Sequence, residues 1–301
     1  MYSSLSRKLS IGFMDSISLE KRRQLIDSDM PLDEILALYP HESTHEQEAS
    51  DVIEWMKCEN NHIWWYTDPY YPVFEPIENN LPYMLFVKGT IPSGKYKYYS
   101  IVGTRNTDNA GFQASYKLGL ECGANKICVV SGMADGCDQS AMNGAVDALF
   151  PCYGILGCGL DIDYPKYSSN LKKRVIETGG ALISRFAPHT QPFKQNFPNR
   201  NMIIAAMGQV LIVVQAPKKS GALITSDFAL QMGKDVFVSE TGVGKNWNRI
   251  GSSNLVFDGA RTIHSIDGIS SIRRMAFEVE FADKNTYRFG NKLYIFRDIR
   301  R

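Results

Sequence analysis

From Tyr98 to His264 the chain alternates short β-rich runs with helical stretches. The runs are Tyr99–Val102, Ile127–Ser131, Tyr153–Leu156, Ala181–Ser184, Val210–Val214, Val236–Ser239 and Thr262–His264. Helices are predicted between most of them, at 110–122, 138–148, 168–178, 199–207 and 222–232. Such alternation builds right-handed β-α-β crossovers, so an α/β fold with a doubly wound, mostly parallel sheet is predicted. Gly123 and Gly233 stand where left-handed helix caps belong. No internal repeat interrupts the rhythm.

Residues 1–88 read as a small helical module followed by an extended connection. Helices are predicted over Ser18–Ile26 and Pro31–Leu38, and a third from Thr44, where Thr44-x-x-Gln47 has the form of a capping box. The stretch after it is rich in Pro and aromatics, which suits packed chain rather than a flexible linker. Residues 89–268 carry the sheet, and 269–301 read as a short basic hairpin or tail.

Charge narrows the choice of partners. Lys and Arg total 33 and Asp and Glu 32, so no global field attracts a polyanion and any anionic partner must meet a local basic patch. The N-terminus lacks the apolar core of a signal peptide, and the apolar stretch Met202–Val214 is too short to span a bilayer. Six cysteines form no C-x-x-C pair, which points to a reduced, cytoplasmic protein without membrane contact.

Two motifs fail on context. His41-Glu42-Ser43-Thr44-His45 has zinc-protease spacing, but the capping box leaves His41 outside the helix and the surroundings are polar, so no metal is expected. The first β-α turn, Gly103-Thr104-Arg105, lacks G-x-G-x-x-G, and Ser131-Gly132 ends the second strand without a ribose-binding acid. No dinucleotide or other cofactor is expected.

Small and polar residues instead collect at successive strand ends. These are Gly103-Thr104-Arg105, the stretch from Ser131 and Gly132 to Gly136, Gly157–Asp161, and Lys218-Lys219-Ser220-Gly221. In an open parallel sheet such ends share one crevice, into which helix N-termini also point, and that suits phosphate. Arg105, Lys166, Lys194, Arg200, Lys218 and Lys219 add positive charge. In Phe193–Asn201 basic and aromatic residues interleave, the recipe for single-stranded nucleic acid. Phe197 has two readings, a stacking surface or a core residue. Its polar neighbours favour the crevice, with Phe193 filling the inward role.

Taken in order, TDPYYPVFEPI, LPYMLFVKG, SIVGTRN, SGMADGCDQSA, GILGCGLDIDYPKYSSNL, GGALISRF, FPNRNMIIAAM, VLIVVQAPKKSGALITSDFAL and VFVSETG resemble the DNA-processing protein A family (DprA, also called Smf). The likeness runs from about Tyr66 to Ala260. It implies an extended Rossmann-like domain preceded by a small helical domain. It also implies a non-catalytic single-stranded-DNA-binding protein that protects DNA in natural transformation, loads the RecA recombinase and forms a homodimer. The family's Gly-x-Arg maps onto Gly103, Thr104 and Arg105, and its Phe-Pro-x-Arg-Asn onto Phe197, Pro198, Arg200 and Asn201. Its Ser-Gly-x-Leu-Ile-Thr maps onto Ser220, Gly221, Leu223, Ile224 and Thr225.

Four positions depart from the family pattern: Met202 replaces an Arg, Met142 a His, Arg185 a Glu and Gln215 a Glu. A winged-helix extension, present in some members, is not expected. The alternative is a nucleotide-binding or nucleotide-hydrolysing enzyme of the lysine decarboxylase-like (phosphoribohydrolase) group. Its Pro-Gly-Gly-x-Gly-Thr-x-x-Glu signature would fall near Lys219–Thr225, where Asp227 is the nearest acid.

Overall fold

In the computed structural model, residues 4–77 and 81–269 are described, together with the strand backbones of 279–283, 286–289 and 292–295. Met1–Thr262 forms one compact unit and Ile263–Arg301 a second.

The first unit opens with four helices, α1 (Ser4–Phe13), α2 (Leu19–Asp27), α3 (Leu32–Leu38) and α4 (Glu46–Trp55). Ile11, Met14, Ile17, Leu25, Leu32 and Ile35 give the first three their own apolar cluster. Ser18 caps α2 by accepting from the Lys21 N–H. Helix α1 was not expected from the sequence, because it buries the consecutive residues Leu9 to Gly12 rather than a stripe at helical spacing. The capping box does not form. Helix α4 starts at Glu46, with His45 at the cap in the left-handed region (φ 48°) and no side-chain capping bond. The Glu42 and Glu48 carboxylates flank the His45 ring at 3.6 and 3.5 Å, so that turn, not Thr44, ends the loop.

The same unit holds the large sheet. Its strands are β1 (Asn61–Trp65), β2 (Met84–Gly89), β3 (Lys97–Val102), β4 (Ile127–Ser131), β5 (Cys152–Leu156), β6 (Ala181–Ser184), β7 (Val210–Val213), β8 (Asp235–Ser239) and β9 (Arg261–Ile263). They lie in the order β1-β2-β6-β5-β4-β3-β7-β8-β9. The strands from β6 to β8 in that order pair parallel, whereas β2 pairs antiparallel with both β1 and β6. The stretch read as an extended connection therefore supplies the two strands at one end of the sheet, of which β1 is the edge. Val130, Ile155, Ile183, Leu211 and Val213 are fully or nearly fully buried, as strands covered on both faces require.

The helices of the sheet are α5 (Asn109–Ala124), α6 (Cys137–Asp147), α7 (Ser169–Glu177), α8 (Asn196–Met207), α9 (Gly221–Gln231) and α10 (Ile250–Phe257). Gly233 is left-handed as predicted (φ 67°), but Gly123 lies inside α5. A Cβ at Gly123 would stand 2.5 Å from the Ala148 Cβ, so glycine serves close helix packing there. The sequence of α10, IGSSNLVF, carries little helix propensity. Tertiary bonds hold it, with the Gly251 and Ser252 N–H groups donating to the Ala216 carbonyl.

Arg22, 1% exposed, ties the helical module to the sheet. Its guanidinium donates to the Gly12 and Leu81 carbonyls and to Asp15. Asp15 also pairs with Arg185, which follows β6. The Arg at this departure from the family pattern complements a carboxylate that α2's neighbourhood supplies.

In the second unit, β10 (Val279–Asp283), β11 (Thr286–Phe289) and β12 (Lys292–Ile295) form a three-stranded antiparallel sheet, one strand more than the expected hairpin. The expected basic character of this segment rests on side chains outside the described residues.

Candidate functional site

Strand β3 lies between β4 on one side and β7 on the other. The crossovers leaving a parallel sheet at such a point diverge, and a crevice opens beyond the carboxyl ends of the two strands. Here a cleft of about 310 Å³ opens between Gly103–Asn106, which follows β3, and Pro217–Ala222, which follows β7. Ten of the residues singled out in the sequence line it: Gly103, Thr104, Arg105, Phe197, Arg200, Asn201, Lys219, Ser220, Gly221 and Thr225. Gly132 lines a smaller adjoining recess with Arg105, Phe197 and Arg200. Ser131, Lys166, Lys194 and Lys218 line neither. Ser131 is fully buried and its hydroxyl donates to the Ile101 carbonyl, joining β4 to β3. The three lysines are exposed; Lys218 stands between Pro217 and Lys219 of the cleft wall, and Lys166 follows Pro165 of the recess.

One wall is the start of α9. Ser220 accepts from the Ala222 N–H at 3.2 Å and caps the helix. Asn201 Nδ2 and Thr225 Oγ1 both donate to the Gly221 carbonyl, fixing this first turn against α8. Exposed Lys219 stands beside an N-terminus whose dipole already favours an anion.

The facing wall is built around Phe197. Asn196 anchors its turn, donating to the Gly157 and Gln191 carbonyls. Two guanidinium groups lie over the Phe197 ring, Arg105 at 5.5 Å and Arg200 at 5.8 Å from the centroid. Tyr164 meets the ring at 5.8 Å. Phe197 is half-buried, with its ring on the wall of the cleft. Phe193 does not take the inward role, since it is 56% exposed.

The two arginines differ in kind. Arg105 is exposed. Arg200 is 5% exposed; it donates to the Ile155 carbonyl, and its Nε has no hydrogen-bond partner. Burial lowers its pKa, while the charge of Asp138 raises it. Asp138, missed in the sequence, accepts from the Gly103 N–H at 3.2 Å and the Gly132 N–H at 3.1 Å. Burial pushes this carboxyl up to about 6, against the charge of Arg200 and those N–H bonds. Its two oxygens clasp the ends of β3 and β4, and Arg200 supplies the nearby positive charge. The second of two acids inside SGMADGCDQSA, set against the Arg of FPNRN, was the available signal.

Trp247 was also missed. It lines the cleft from the loop before α10, outside the strand-end motifs. Of the departures, Met202 and Met142 are buried apolar residues, and Gln215 is fully buried in a hydrogen-bond network with Asp108 and Asn248. His41 and His45 lie before α4, and among the described residues no group of three His, Cys, Asp or Glu could hold a metal ion. Nor is any described helix long and apolar enough to cross a membrane.

Residues 62–273 match a family model described as DNA recombination-mediator protein A. The DNA processing protein DprA of Streptococcus pneumoniae is 33% identical over 186 residues, covering 61% of this chain and 64% of that protein. Protein Smf of Escherichia coli is 29% identical over 190 residues, covering 63% of this chain and 51% of its own. The chain thus spans less than two thirds of the length of these relatives. The X-ray structure of the S. pneumoniae protein superposes with a TM-score of 0.73 at 25% identity, covering 90% of this chain and 98% of the other. A structure of DNA processing protein A from Helicobacter pylori, which concerns that protein's single-stranded DNA binding mode, gives 0.59 at 25% identity. It covers 71% of this chain and 96% of the other.

Proposed function

This chain belongs to the DNA recombination-mediator protein A family, and on that premise we propose that it binds single-stranded DNA in the cleft at the β3/β7 switch point. The observation that carries the reading is the meeting of an exposed Arg105, Lys219, a capped helix N-terminus and the Phe197 ring in one cavity. Arg105 presents a planar fork that pairs with two phosphate oxygens, which Lys cannot copy. Lys219 and the first turn of α9 hold a second phosphate through charge and free N–H groups. A base then stacks on Phe197, whose face a duplex, with its bases paired inside, cannot reach.

The role is binding, not catalysis. Asp138, the carboxyl on the cleft, has both oxygens engaged by main-chain N–H groups. The family resemblance carries the rest of the proposal: the bound strand is protected and passed to the RecA recombinase during recombination or natural transformation, and two copies of the chain associate. Leu230 of α9 and Phe257 of α10, 54% and 91% exposed, offer apolar surface for that association. Six unpaired cysteines fit a reducing, cytoplasmic setting.

Anisotropy titrations with single- and double-stranded oligonucleotides test the reading. Clear preference for the single strand is the expected result; equal affinity for both contradicts a stacking cleft. RecA filament formation on protein-coated single strands, with and without the chain, tests the loading role.

A further inference from the structure

Of the chain's four tryptophans, Trp64 is buried, Trp55 and Trp65 are half-buried, and Trp247 is 59% exposed on the wall of the cleft. The loop bearing it is pinned on its inner side. Asn248, 5% exposed, donates to Asp108 Oδ2 at 3.2 Å and to Gln215 Oε1 at 3.0 Å. Arg249 pairs with the same Asp108 carboxylate, and Gln215 Nε2 donates to Asp108 Oδ1 at 2.9 Å and to the Thr241 carbonyl at 3.0 Å. An amide suits position 215 because it donates to a carboxylate and accepts from an amide at once. On the other side of Trp247, the Gly244 N–H donates to Ser253 Oγ. A large aromatic is thus left to solvent on a loop whose ends are held by buried and part-buried polar bonds. Preorganised aromatic rings of this kind bind planar groups with little loss of side-chain freedom.

We propose that Trp247 is a second base-stacking platform of the cleft, set in place by the Asp108–Gln215–Asn248 brace, so that the strand is gripped by one base at Phe197 and another at Trp247. This rests on the single-stranded DNA reading above. The ligand class it adds is a nucleobase at the Trp247 wall, as distinct from the phosphates held at Arg105 and Lys219.

The test uses the full chain and two oligonucleotides of equal length, one of thymidines and one with abasic sites throughout, so that both carry the same phosphates. Binding of the thymidine strand is expected to quench tryptophan fluorescence. Trp247→Phe should keep most of the affinity and lose the quench. Trp247→Ala should bind the thymidine strand at least about fivefold more weakly, while its affinity for the abasic strand stays within about twofold of the unsubstituted chain. An unchanged melting temperature would show that the loop is intact. If the chain binds the thymidine strand and Trp247→Ala binds it equally well, or the quench survives Trp247→Phe, the platform is overturned while the cleft reading stands. If the unsubstituted chain binds neither strand, both fall.

Discussion

Gly132 and Arg200 are in such close contact that a Cβ on the glycine would stand 1.5 Å from the Arg200 Nη1. The guanidinium has little room to retreat, because it is buried and bonded to the Ile155 carbonyl, and Asp138 Oδ2 would lie 2.7 Å from the same Cβ. The glycine end of β4 therefore exists to seat a buried charge beneath the cleft. Gly132→Ala should lower stability by about 1–3 kcal/mol through overpacking. It should also weaken oligonucleotide binding, because displaced Arg200 no longer supports the Phe197 ring. Urea melts and a titration on the same preparation check both.

Arg105 and Arg200 share that ring but should respond differently. Arg105→Lys is expected to weaken single-strand binding with little change in melting temperature, since the side chain is exposed. Arg200→Ala removes a buried side chain, its bond to the Ile155 carbonyl and the positive charge near Asp138, and should lower the melting temperature clearly. Equal stability losses in the two variants would show Arg105 to be a structural residue.

Phe197→Ala should register in both assays. Losing one stacked base costs about 1–3 kcal/mol of binding. The loss of stability should stay below the roughly 3–5 kcal/mol typical of a fully buried phenylalanine, because the ring is only half-buried. A large drop in melting temperature with unchanged affinity would return Phe197 to the core.

The parts of this molecule that obey a local period could be read from the sequence. Ile127–Ser131 and Ala181–Ser184 are strands over the predicted residues, because buried parallel strands are apolar runs bounded by turns. The strand-end motifs gave six residues of the cleft, Gly103, Thr104, Arg105, Lys219, Ser220 and Gly221, because topology places such ends together; the Phe193–Asn201 segment gave three more and the family resemblance Thr225. What escaped depends on distant partners. Helix α10 is held by the Ala216 carbonyl rather than by propensity. Asp138 matters only because Gly103, Gly132 and Arg200 converge on it. Trp247 reaches the cleft through a brace anchored at Asp108, far off in sequence. Lys166 and Lys194 are exposed but line neither the cleft nor its recess, because a charge in a sequence carries no direction.

Asp138 also sets a pH dependence. Burial raises its pKa from 3.8 to about 6, so the folded chain holds a proton that the unfolded chain releases. Stability should then fall as pH rises from about 4 to 6 and level off above that. The total contribution is about 3 kcal/mol at 1.36 kcal/mol per unit. Asp138→Asn should flatten that part of the profile; denaturant midpoints at pH 4, 5, 6 and 7 in both proteins make the comparison.

The claim that the cleft grips the DNA backbone is tested most directly by the salt dependence of single-strand affinity, measured for the unsubstituted chain and for Arg105→Ala/Lys219→Ala. Each phosphate contact on a single strand adds about 0.7 to the slope of log K against log salt. Removing two contacts should make the slope shallower by about 1.4 and weaken binding most at low salt. An identical slope in the two proteins would mean that the backbone is held somewhere else.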